Sequence, residues 1–510
     1  MSEAPAQPLH RATDAPEQRS PSLSARVAGQ GLIVIGGHIG AQALSFARNA
    51  ILAHWLSKGD FGIAAAIVML LQIVDTLSDV GADRLILQAE DGDNPRLVAT
   101  AHATLIARGF ITAIVILALA YPMAVMLGVP QAAWAFAVVA VVPAIKGFMH
   151  LDSRRAQRQL NNRPQMLIEL APQIVSALLV VPALLIVESY AAIVLVTFGQ
   201  ALAALAVSHL LAERRYAISL ERQYLDRLIA FGWPIWASAF PLVAVYQGDR
   251  MLIGAFLGVE ALASYTAAFM LTMVPALVAG KLSQSLMLPL LAEARRDIKA
   301  FRDRFAIMAE ATIVMSAVYL AGFLVAGPTV LELAFGKAYA GLDAVVALLS
   351  LMWSLRMAQA VAGMAIMAQG ETRPLLLAGL VRAGGLLLAF IALATGHGLV
   401  GAAAASAASE TISMLYMLRC LEHSGTGAGM PGLGTLMLRY TLLLVPTAAL
   451  ALPFALEAAS GPGLGHTAVY TMAALVALTL AAPLGLPQLR RRLMEYVVPR
   501  LLAPRGRSMA

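Results

Sequence analysis

The chain has 510 residues, 60% of them hydrophobic and only 13% charged, where a soluble domain carries about 25% charged. Lys and Arg outnumber Asp and Glu by 36 to 29, a formal charge of +7. This balance excludes a water-soluble fold, and the single cysteine, Cys420, excludes internal disulfides and cysteine-based metal clusters.

Residues 1–26 are rich in Pro, Ser, Gln and charge and have no apolar core. They are expected to form a disordered cytoplasmic tail, not a cleaved signal peptide. Apolar stretches then follow at 31–56, 61–86, 99–127, 132–152, 166–187, 190–212, 229–257, 261–291, 305–327, 342–368, 374–396, 399–421, 436–456 and 467–487. About 20 apolar residues cross a hydrocarbon core of roughly 30 Å as a helix. The expected fold class is therefore all-α and polytopic, with about 14 transmembrane helices.

Charge orients these spans. Of the 36 basic residues, 27 fall in alternate segments that include both tails, seven lie inside spans, and only Lys58 and Lys337 lie on the other side. Basic short loops mark the cytoplasmic face, so both termini are placed inside. The membrane accounts for the positive charge, and no nucleic-acid partner is needed. Loops on the opposite face are too short for a catalytic domain. There is no Walker loop, and the nine histidines have no metal-ligand spacing. No catalytic residue, metal or cofactor is expected. Gly36-Gly37-His38-Ile39-Gly40 reads as a helix-packing patch, with His38 a packing side chain in preference to a proton relay.

Charges inside the spans carry the functional signal, because one near the bilayer centre costs about 2.5–3.5 kcal/mol on insertion scales. Arg108 and Lys146 are close enough to a helix end to snorkel. Arg48, Arg250, Lys281, Arg356 and Arg382 are too deep, and a guanidinium fork suits phosphate oxygens. Internal ion pairing competes with that reading: Arg382 and Glu410 lie at similar depth, and Arg250 has scope for a carboxylate from another helix. Arg48 and Arg356 show no obvious partner. Asp75, Asp79 and Asp83 recur at i, i+4 and i+8 on one face of the second span, where a solvated stripe is the plain reading. Asp75, Asp249 and Glu410 are candidates for ion coupling. An echo at an offset of 201 residues, Ile51–Val68 against Leu252–Phe269, points to a parallel repeat and two bundles around a central cavity.

Ala47-Arg48-Asn49-Ala50-Ile51-Leu52-Ala53-His54-Trp55-Leu56-Ser57-Lys58-Gly59-Asp60-Phe61-Gly62 resembles the first-helix signature of the polysaccharide-transporter branch of the MATE-like (MOP) flippase superfamily. Ser78–Gln88 resembles the end of that family's second helix, Gly248–Gly258 its seventh-helix motif, Ala263–Ala268 with Pro289 its eighth helix, and Ala368–Arg373 the turn after its tenth. The pieces run in order over about residues 27–420. The resemblance implies a Wzx-type flippase: an N-lobe at 27–212 (six helices), a cytoplasmic connector at 213–228, a C-lobe at 229–421 (six helices), two added helices at 422–487 and a basic tail at 488–510. It implies a monomer in the bacterial inner membrane that moves undecaprenyl-pyrophosphate-linked glycan among membrane lipid, beside other polysaccharide assembly proteins. Arg48 and Arg250 would clamp the pyrophosphate from the two lobes. Alternatives on the same fold are an ion-coupled small-molecule exporter or a peptidoglycan-precursor flippase. A membrane polymerase or ligase is the alternative of another class.

Overall fold

A computed structural model describes residues 23–423, 432–449, 451, 453, 467–476 and 486. Helix α1 (Leu23–Trp55) begins inside the segment expected to be disordered, and residues 1–22 lie outside the described ones. The Ser57 hydroxyl accepts the Asp60 amide at 3.0 Å and so caps α2 (Lys58–Leu77). The second expected span, 61–86, is not one helix. Asp79 accepts the Gly81 amide (2.9 Å), the Ser78 hydroxyl donates to the Asp75 carbonyl (3.0 Å), and Gly81 takes φ +63° before the short α3 (Ala82–Gln88). Local polar side chains here outcompete the helical ladder. Asp75, Asp79 and Asp83 therefore do not share one helix face.

Helix α4 (Pro95–Met126) is capped by Asn94. The expected span 132–152 is broken into α5 (Ala133–Val138) and α6 (Val141–Gly147), followed by α7 (Asp152–Arg158), α8 (Arg163–Val187) and α9 (Ala192–Leu210). Helix α10 (Arg222–Val243) continues through a single π turn, Ala244–Gly248, into α11 (Asp249–Ala294), which breaks at Gly258 (φ +82°). Then come α12 (Ile298–Phe335), α13 (Asp343–Ala368), α14 (Arg373–Ala383), α15 (Gly385–Ala394), α16 (Gly398–His423) and α17 (Leu433–Leu442). No strand occurs among the described residues. In that set, 10 helical runs are long and apolar enough to cross a membrane, the run 222–294 being one that bends at Gly258. The last two expected spans fall partly outside the described residues, where only the shorter apolar helices Leu433–Ala449 and Thr467–Val476 are found.

In the first half α8 packs against α1 and α9, and α4 against α6; in the second, α13 packs against α11, α12 and α16. The halves meet where α2 lies along α11, and a methyl group on Gly62 would overlap the Val259 carbonyl oxygen. Phe46 and Phe61 stack edge-on against Phe335 and Tyr339 of the second half, with centroids 5.5 and 6.0 Å apart for Phe46–Phe335 and Phe61–Tyr339. Small residues and interlocking rings hold such contacts, since lipid offers no hydrophobic drive between helices. The two halves are therefore closed at the face away from the arginine-rich loops.

Candidate functional site: a cation-tipped cavity

Helices α1 to α4 and α6 to α10 line a cavity of about 890 Å³. Arg84, Asp83 and Arg154 line its mouth at the arginine-rich face, and Arg48 lines its inner end. Arg48 stands seven residues before Trp55, roughly 10 Å from the end of α1. It is 5% exposed. Its Nη1 and Nη2 donate weakly to the Ser176 and Ser45 hydroxyls, both at 3.4 Å, and its Nε has no hydrogen-bond partner. No carboxylate pairs with it among the described residues.

Every other Lys or Arg in the lining is matched by an acid. Arg108 meets Asp75 at 2.5 Å and Asp79 at 3.9 Å, Lys146 reaches Asp75 at 4.0 Å, Arg84 meets Asp79 at 3.1 Å and Arg154 meets Asp83 at 2.9 Å. Arg108 and Lys146, expected to snorkel, are thus held by Asp75. Five glutamines, Gln42, Gln72, Gln165, Gln173 and Gln200, complete the wall with Glu169, which accepts from Gln165 at 2.8 Å. His38 also lines the cavity. At Gly37 a methyl group would overlap Met166 of α8.

The remaining deep arginines lie elsewhere. Arg356 and Arg382 converge on Glu410, which has no exposed surface: Arg356 Nη2 lies 2.6 Å and Arg382 Nε 2.8 Å from Oε2. Gln359 donates to the other oxygen. The sequence showed no partner for Arg356, and the fold supplies one. Arg250 does not line the cavity. Its guanidinium donates to the Tyr246 carbonyl (2.7 Å) and lies 4.9 Å over the Phe269 ring, while Asp249 accepts from the Tyr265 hydroxyl at 2.7 Å. Arg48 and Arg250 therefore do not face one another across a shared space, and the two-arginine clamp is not formed. The glutamines and Glu169 escaped the sequence reading. Their one signal was a run of amides and a carboxylate within apolar spans.

Residues 51–344, more than half of the chain, match the family described as "Polysaccharide biosynthesis protein". No curated protein sequence matches. Among solved structures, the chain resembles a lipid II flippase MurJ in an inward closed conformation, with TM-score 0.68 and 10% identity over 88% of this chain and 98% of that one. It also resembles an inward-facing multidrug resistance MATE family transporter of the MOP superfamily, with TM-score 0.62 and 13% identity over 80% and 96%. A MOP superfamily transporter from Pyrococcus furiosus gives TM-score 0.51 and 14% identity over 83% and 96%. At such identities the likeness is one of fold.

Proposed function

Because the chain belongs to the polysaccharide biosynthesis protein family and has the fold of MOP superfamily transporters, we propose that it flips a polyprenyl-pyrophosphate-linked oligosaccharide across the cytoplasmic membrane. The observation that carries this reading is Arg48, a buried guanidinium without a carboxylate at the end of a polar cavity. A buried charge is retained where it is paired or has work to do. Phosphate oxygens supply the missing partner, and the fork of Arg48 can bind them bidentately. Sugar hydroxyls fill the polar cavity below while the polyprenyl tail stays in lipid. The basic loops support a cavity mouth that opens to the cytoplasm. Contact between α2 and α11 closes the far side, and rocking of the two halves would open it.

Of the three coupling candidates, Asp75 fits best. It is half exposed to the cavity and holds both Arg108 and Lys146, so protonation would free two cations next to the substrate. Asp249 and Glu410 are read as structural.

Flipping of a fluorescent polyprenyl-pyrophosphate glycan in proteoliposomes tests the reading. Arg48→Ala and Arg48→Gln should lose it by about 100-fold, in line with roughly 3 kcal/mol for a charge-assisted contact. Arg48→Lys should keep part of it, since the charge remains and the fork is lost. Asp75→Asn should leave binding intact and remove the dependence on an imposed proton gradient. Full flipping by well-folded Arg48→Ala would end the proposal.

A further inference from the structure

The cavity wall and the residue behind it hold a feature that phosphate recognition does not use. Gln200 Nε2 donates to Gln173 Oε1 at 3.2 Å, and Gln247 Nε2 donates to Gln72 Oε1 at 2.9 Å. Gln173 lies one turn from Ser176, the residue that accepts from Arg48, so guanidinium and amides share one wall. Gln247 sits in the π turn between α10 and α11, and its Oε1 is buried without a partner. π turns recur at functional sites, and an orphaned buried acceptor calls for an explanation.

We infer that Gln72, Gln173 and Gln200, with Gln247 bonded to Gln72 from outside the lining, form a reader for an uncharged sugar attached directly to the phosphate that Arg48 holds. This rests on the cavity being a glycan-phosphate site. A primary amide offers two donors and an acceptor with no net charge. Each amide in these two pairs uses only part of that capacity on its neighbour, which leaves donors and acceptors for adjacent sugar hydroxyls. The charges in the wall reject the alternative. Arg84, Arg108, Lys146 and Arg154 are each committed to Asp75, Asp79 or Asp83, and Arg48 is taken by phosphate. While Asp75 is ionised, a uronic acid at this depth would bury a carboxylate with no free cation in the lining to meet it, whereas hydroxyls find amides.

The test is equilibrium binding of three synthetic lipids to the purified full chain in nanodiscs. One is a polyprenyl pyrophosphate bearing a neutral hexose, one bears a hexuronic acid, and one bears no sugar. The wild-type protein should bind the neutral-sugar lipid about tenfold or more tightly than the bare lipid, and the acidic lipid no better than the bare one. Gln173→Ala with Gln200→Ala should bring the neutral-sugar lipid down to the bare-lipid level and leave the bare lipid unchanged. Equal affinity for neutral and acidic lipids would overturn the inference and leave the phosphate site standing. Failure of the wild-type protein to bind any of the three would remove the phosphate site itself.

Discussion

Arg356 and Arg382 share the carboxylate of Glu410, and Gln359 satisfies its second oxygen. Arg356 also lies 4.6 Å over the Trp353 ring, so its charge is met on two sides. Removing the central acid would leave two guanidiniums uncompensated in a buried site, and breaking such a site costs about 3–5 kcal/mol. Glu410→Ala should therefore lower the thermal midpoint in detergent sharply, followed by intrinsic tryptophan fluorescence. Arg382→Met should cost less, because Arg356 still pairs with the acid. An unchanged midpoint in Glu410→Ala would show that this cluster does not hold α13, α14 and α16 together. Arg48 differs from these two in its neighbours alone. Two serines at 3.4 Å cannot neutralise it, which is why its replacement is expected to affect transport before stability.

The segment 211–221 joins α9 to α10 and is tied to the first half by side chains that include Asp152, His150 and His102. The Asp152 carboxylate accepts the Glu213 amide and Arg155 Nε, both at 2.8 Å. His150 accepts the Asp152 amide on Nδ1 (3.1 Å) and donates from Nε2 to the Arg214 carbonyl (3.0 Å). His102 meets the Ala217 carbonyl at 2.9 Å while its Nε2 accepts the Leu151 amide at 3.2 Å. A ring that accepts an amide hydrogen on one nitrogen must be neutral. His209, Tyr216 and Arg155 surround the pair. Burial holds the His150 imidazole below its ordinary value, against the opposing pull of Asp152. Burial also pushes the Asp152 carboxyl up, but bonds from Arg155 and the Glu213 amide outweigh it and leave the group below the usual carboxylate range. Both folded values are depressed. The His150 contribution is thus complete above its ordinary value of about 6.5 and fades as pH falls below it, while that of Asp152 persists to lower pH. Amide exchange at 212–220, corrected for intrinsic rate, should rise between about pH 7.5 and about pH 5. His150→Gln, which can donate and accept at similar points, should weaken that dependence. Constant protection across the range would refute the titratable anchor.

At the scale of the whole molecule, the repeat seen in the sequence has a structural counterpart. Ser57 ends the turn between α1 and α2, and Gly258, 201 residues later, is the break in α11. Gly62 and Val259 then bring the two turns into contact at the closed face. In the orientation proposed from the loop charges that face lies outside. In a Cys420→Ser background, cysteines at Gly128, Glu188 and Gly396 should label with an impermeant thiol reagent added to intact cells. Cysteines at Asn162, Arg222 and Arg296 should label only after permeabilisation. The reverse pattern would invert the orientation and turn the cavity mouth outward.

The amino-acid sequence by itself determined the helical membrane architecture, because a bilayer obliges each segment to satisfy its own backbone and so makes every span locally readable. It also determined which cations are anomalous, since a charge within an apolar run needs no neighbours to be noticed. Even the break at Ser78–Gly81 was local, although the apolar pattern ran across it. The role of each cation was decided only by tertiary structure. The partner of Arg356 lies 54 residues away on α16, Asp75 reaches Arg108 over 33 residues, and the glutamine wall is drawn from α1, α2, α8 and α9. At the 201-residue offset Arg48 aligns with Asp249 and Arg250 falls one residue later, and Arg48 faces the cavity while Arg250 faces an aromatic ring and a carbonyl. Helical periodicity limits the direction in which a side chain points, but what stands opposite depends on which helices pack there. That is a property of the assembled halves, and no single span contains it.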